Sequence, residues 1–262
     1  MSFNITKLDI LLRKKSILGY TLGMLIYVLI IIVFFPAFKN STSLDSFISK
    51  DSSLMAMFGI TGKISTSGGW LNGNIYANFF PLILLMLTIG YGASSIAGQD
   101  EDGILCLITT LPISRRAILL QKILAMTVQS LIVGLFVGIG VTFGHIFGIT
   151  TPYFYIFELS LNTVLLSVDF GLLSMITGII TGKRIYAIAT TTSVASASYL
   201  IGSLATIISW LNNAKYFSLF YWSVGNNQIL NGISINQILV LLTIGLILTI
   251  TAGISFKNAD LH

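Results

Sequence analysis

Apolar positions along this chain come in long uninterrupted runs. Five stretches carry no Asp, Glu, Lys or Arg: Ser16 to Phe38, Ile64 to Gln99, Ile123 to Phe157, Ile185 to Ala214 and Tyr216 to Phe256. A helix crossing a bilayer needs roughly 20 apolar residues, so each run is long enough for at least one crossing. Along the whole chain six spans are predicted, near residues 17–38, 77–98, 117–147, 156–182, 186–211 and 234–256, the fourth enclosing Glu158 and Asp169. The predicted fold class is an all-α integral membrane protein with six transmembrane helices. With no strong internal repeat or linker, residues 1–262 read as a single domain.

The first fifteen residues, MSFNITKLDILLRKK, follow a different pattern. Phe3, Ile5, Leu8, Ile10, Leu11 and Leu12 alternate with Lys7, Asp9, Arg13, Lys14 and Lys15, at a spacing suited to a short amphipathic helix on the membrane surface. The run behind it is not a secretory signal core. It spans 23 residues, against the ~7–15 of such a core, and no small-residue cleavage pattern follows.

Composition sharpens this picture. The chain is 55% hydrophobic and 9% charged, with a mean hydropathy of +0.91; soluble domains carry about 25% charged residues. The lysines and arginines give the orientation. With the N-terminus inside, the cytoplasmic side receives Lys7, Arg13, Lys14, Lys15, Arg115, Arg116, Lys122, Lys183, Arg184 and Lys257, and the outer side only Lys39, Lys50, Lys63 and Lys215. Both termini and the loop at 99–116 are thereby expected in the cytoplasm, and the chain in the cell (plasma) membrane. The formal charge of +5 comes from cationic loops facing an anionic membrane surface, and points to no nucleic-acid partner. Outside, residues 39–76 are rich in Ser, Gly and Asn, and 214–232, AKYFSLFYWSVGNNQILNG, read as an outer-leaflet amphipathic or re-entrant helix.

Several kinds of chemistry are excluded or weakened by residue type. A phosphate-binding loop needs G-x-x-x-x-G-K-[ST]; GITGKIS at 59–65 and GIITGKR at 178–184 lack that spacing. A lone Cys106 makes no internal disulfide, and His145 and His262 form no metal-ligand pattern. No catalytic, cofactor-binding or metal site is therefore predicted in the chain. His145 reads as an interface or packing residue. Asp169 is the acid deepest within a span, where charge is costly, and is either a structural hydrogen-bonding group or a cavity residue. Gly134, Gly138, Gly140, Gly144 and Gly148 form small-xxx-small series on the third span, for internal packing or a subunit contact.

Charge is concentrated in one place. Asp100, Glu101, Asp102, Arg115 and Arg116 fall within 17 positions. Asp100 is expected to cap a short helix with Glu101 and Asp102 in its first turn, where the helix dipole favours negative charge. Ile104, Leu105, Leu107, Ile108 and Leu111 then form an apolar face, Pro112 ends the helix, and Ser114 caps the third span. A solvated loop with lipid-anchoring Arg115 and Arg116, and a compact docking helix, both fit these residues.

The run GQDEDGILCLITTLPISRRAILLQKILA, residues 98–125, resembles the acid-Gly…Leu-Pro-Ile-Ser-Arg-Arg…Lys signature of type-2 ABC exporter permeases. The basic N-terminal helix, GGWLNGN before the second span, and the tail FKNADLH resemble that family too. The resemblance implies that the loop between spans two and three is a cytoplasmic coupling helix contacting an ATPase subunit through Asp100, Glu101, Asp102, Gly103, Ile104, Leu105, Ile108, Leu111 and Pro112. It also implies a second permease copy in a homodimer, two ABC ATPase subunits, and ATP with Mg bound by those partners and not by this chain. An ATP-independent secondary carrier and a non-transporting immunity or scaffold protein are the alternatives.

Overall fold

The structure, a computed structural model, describes residues 4–39, 63–105, 113–205, 208–225 and 228–258. They build α1 (Asn4–Leu12), α2 (Lys14–Phe38), α3 (Ser67–Glu101), α4 (Arg115–Phe147), α5 (Tyr153–Thr181), α6 (Arg184–Leu204) and α7 (Ile235–Asn258), with shorter helical turns between α6 and α7. No strand occurs among the described residues. Five helices, α2, α3, α4, α5 and α7, are long and apolar enough to cross a membrane. The expected span at 186–211 corresponds to α6, which falls outside this group. Thr190, Thr191, Thr192, Ser193, Ser196, Ser198 and Ser203 dilute its apolar content.

The long helices run alternately up and down. Contacts join Arg13 to Ser94, Lys122 to Gln99 and Arg184 to Glu101 at one end. Trp70 meets Ile31, Ser67 meets Thr150, and Tyr76 meets Ile156 at the other. Charge separates accordingly, and the first of these is the basic end. Helix α5 is central, packing on α3, α4, α6 and α7. It crosses α3 closely: a Cβ on Gly92 would lie 2.2 Å from the carbonyl oxygen of Gly171. In a bilayer such backbone approach replaces the hydrophobic drive as the source of helix contact. The glycines of α4 serve the same purpose inside the chain, Gly134 against Val164, Gly138 against Phe157, and Gly140 against Leu25 and Val28. Outward faces remain apolar, with Leu18, Leu22 and Ile26 on α2 and Leu242, Leu246 and Ile250 on α7 all exposed.

Helix α3 begins at Ser67 and not near 77. The Thr66 hydroxyl accepts from the Gly69 amide at 3.2 Å and caps it. Trp70 then donates from its indole to the Ile31 carbonyl at 2.9 Å and stacks on Phe38. Residues read as an outer loop are thus the first turn of a helix. Two π-helical segments, Asn72–Phe79 and Ser94–Gly98, interrupt α3 near its ends.

Residues 214–232 form no single amphipathic helix. They divide into a 3-10 segment ending at Phe217 and the short helices Leu219–Ser223 and Gln228–Asn231. These are tied to the bundle by Asn162, donating to the Ser223 carbonyl at 3.0 Å, and by Ser218, donating to the Ser198 carbonyl at 2.6 Å. Tyr216, Tyr221 and Trp222 cluster there by ring contacts. His145 stacks on Tyr153 at 4.1 Å between ring centres, a packing role.

Candidate functional site: the charged end of the bundle

Helix α1 does not simply lie on a surface. Its Ile5 amide donates to the Gln121 side-chain oxygen at 3.1 Å, and the Thr6 hydroxyl donates to the Gln121 carbonyl at 3.0 Å. One turn later Asp9 enters the bundle, 7% exposed. Ile5, Thr6 and Asp9 share one helical face by their three- and four-residue spacing, while Leu8, Leu11 and Leu12 stay exposed on the other.

Asp9 meets the side chains that neutralise it. Tyr91 of α3 donates its hydroxyl to Asp9 Oδ2 at 2.6 Å, and Lys122 Nζ of α4 lies 3.7 Å from the same oxygen. Lys122 has no exposed surface; it also donates to Gln99 Oε1 at 2.6 Å. Arg13 places its guanidinium 4.7 Å from the centre of the Tyr91 ring and donates to the Ser94 hydroxyl. Burial pushes the Arg13 guanidinium down from its ordinary value, opposed by Tyr91 and Asp9. Buried charge is tolerated when paired and hydrogen-bonded, and both conditions hold here. The cluster joins α1 to α3 and α4 in one network.

The acids follow directly. Asp100 was expected to cap a helix with Glu101 and Asp102 in its first turn; instead helix resumes only at Ile104 and Leu105, while α3 continues through Glu101 and is closed by the acids. They therefore sit at the negative end of the α3 dipole. Glu101 gains compensation from another helix, accepting from the Arg184 amide at 3.2 Å at the start of α6, where a carboxylate satisfies an open N–H and faces the positive end of a dipole. The N-terminal placement of negative charge is thus realised across space, on α6. Asp102 and Ile104 are exposed, and Gly103 turns the chain at a φ of 68°, a left-handed value suited to glycine. Asp100 keeps one carboxylate oxygen buried with no partner among the described residues.

The remaining expected positions divide. Leu105 is fully buried in this chain, in a cluster with Tyr91, Ile96 and Leu119, so it holds the loop to the bundle. Ile108, Leu111 and Pro112, with Leu107 and Cys106, lie outside the described residues. Ser114 caps α4 as expected, accepting from the Ala117 amide at 3.3 Å. Arg115 and Arg116 follow, both exposed. Asp169 lies far from this end, in the middle of α5. It is 3% exposed, its Oδ1 packs against Gly245 of α7, and its Oδ2 has no hydrogen-bond partner among the described residues.

No group of three or more His, Cys, Asp or Glu able to hold a metal occurs among the described residues. Sequence reasoning missed Asp9, Tyr91, Gln99 and Lys122 as a unit. The available signal was a lysine six residues inside the third span, where a cation needs a partner. No protein-family model and no curated protein matches the chain.

Proposed function

We propose that the chain is the membrane-spanning permease subunit of a type-2 ABC exporter, working with a second permease copy and two separate ATPase subunits. The observation that carries this reading is the run at residues 98–122, GQDEDGILCLITTLPISRRAILLQK, between two helices apolar enough to cross a membrane. Its acids lie at the basic end, where the lysine and arginine bias argues for the cytoplasm. In this reading α6 is the fifth of six spans and both termini are cytoplasmic. The hydroxyl-rich outward side of α6, with Thr192, Ser193 and Ser196 exposed, then faces the pathway between two copies, where it is hydrated.

The mechanism follows from differential binding. Closure of the ATPases on ATP would move the loops attached to them, and Glu101 and Gln99 connect that loop to α6 and α4. Displacement of the loop thereby tilts three helices together. ATP and Mg belong to the partner subunits.

The test is reconstitution. Purified alone, the chain should hydrolyse no ATP; with its cognate ATPase in liposomes it should form an assembly with two permeases that hydrolyses ATP and exports a substrate. Glu101→Lys should weaken co-purification of the ATPase at least tenfold, while Arg116→Gln should change it little. Transport without any ATPase would identify a secondary carrier instead.

A further inference from the structure

We infer that the π-helical segment Ser94–Gly98 is a hinge for the loop that follows it, and that α1 latches this hinge at both ends. The segment lies within α3, whose helical winding otherwise continues through to Glu101. Residue Ser94, at its first position, accepts from Arg13; Gln99, directly after its last, accepts from Lys122, which is itself paired with Asp9. Arg13 and Asp9 belong to α1 or its junction with α2. The two contacts that flank the π turn therefore both trace back to the N-terminal helix.

A π turn accommodates one residue more than the α-helical turn it replaces, and such turns recur at functional sites. Returning this one to α geometry would shift everything beyond it by about one residue, roughly 1.5 Å along the axis and 100° around it. Gln99 would then leave Lys122, and Glu101 would leave the Arg184 amide. The contact at Gln99 thus exists only in the π form, while Arg13 fixes the start of the turn at Ser94, and together they stabilise that form. Released, residues 99–103 would rotate as a unit. The middle of the segment packs on the basic-end half of α5, Ala97 against Gly178 and Ile96 among Leu172, Met175 and Ile176, so the change reaches that half of α5 and no further. The flanking residues fit a hinge: a Cβ on Gly98 would come no nearer than 3.4 Å to any neighbour, and Gly103 is already in a left-handed turn.

The link between this motion and an ATPase rests on the reading proposed above; the hinge itself does not, and it is tested on the chain alone. Amide hydrogen exchange is measured on the full chain in lipid nanodiscs, without any partner. Two variants release the latch from opposite ends, Arg13→Gln at Ser94 and the double variant Asp9→Asn/Lys122→Met at Gln99, the second removing both members of the Asp9–Lys122 ion pair together. Each should speed exchange over residues 94–103 by about tenfold or more, because local opening follows the free energy of its own contacts, with residues 153–170 of α5 at their wild-type rate. Unchanged exchange over 94–103 in either variant would overturn the proposal, as would equal loosening of residues 153–170. Failure of the double variant to insert would overturn it too, since a latch on a local hinge is dispensable for folding. A negative result here leaves the ATPase co-purification test untouched, so the two readings fail separately.

Discussion

Asp9 and Asp169 are both acids with almost no exposed surface, 7% and 3% respectively, and the chain treats them in opposite ways. Asp9 sits at the basic end, where a lysine, a tyrosine hydroxyl and an arginine from three elements converge around it. Asp169 sits in the middle of α5 with Oδ2 unpartnered among the described residues and Oδ1 pressed toward a glycine. The lesson is that burial alone does not define a role. A buried acid in a paired network fastens helices together, and its loss leaves other buried groups stranded. A buried acid without such partners strands little when it is replaced, so conservation of structure is no reason for its presence.

The difference is broken most forcefully at Lys122. Lys122→Met leaves Asp9 buried without its cation, and removing one partner of a buried pair costs about 3–5 kcal/mol. A thermal or denaturant unfolding series in detergent should show this loss, and the double variant Asp9→Asn/Lys122→Met should recover more than half of it. Equal instability of the single and double variants would show that Lys122 acts through packing alone.

Next in size is Gly245. A Cβ there would lie 2.7 Å from Asp169 Oδ1, the end of a side chain that can turn aside, so Gly245→Ala should cost about 1 kcal/mol, the low end of overpacking. Combining it with Asp169→Ala, which clears the space, should remove most of that cost; an additive pair would place the strain elsewhere.

The smallest effect is expected at Asp169 itself. Asp169→Asn keeps the shape and removes the ionisable group, and should change stability by less than about 1 kcal/mol. A loss as large as that of Lys122→Met would erase the distinction between the two acids and reveal a strong partner for Asp169. Transport that fails while stability persists would instead assign Asp169 to the pathway.

Much of this architecture is legible along the chain because a bilayer imposes length and polarity on each helix separately. The bounds of α2, α4, α5 and α7 agree closely with the expected spans, and Ser114 announces the start of α4 by its own side chain. Errors came where a residue's role depends on another element. Helix α3 starts ahead of its expected span at 77–98, since Thr66 and Trp70 find partners that small polar residues alone do not advertise. The acids at 100–102 look like a helix start by local rules, yet Glu101 supplies its charge to α6, 83 positions away.

Sequence by itself determined the membrane class, the helical content and the concentration of charge at one end. These follow from the cost of exposing peptide groups and charge to hydrocarbon, which every residue meets independently of its neighbours. Only the tertiary structure decided that Asp9 faces inward to Tyr91 and Lys122, that Leu105 serves the bundle, and that Asp169 packs on Gly245. An amphipathic helix of nine residues can bury either side, and the choice rests on which partners the other helices bring within hydrogen-bonding distance.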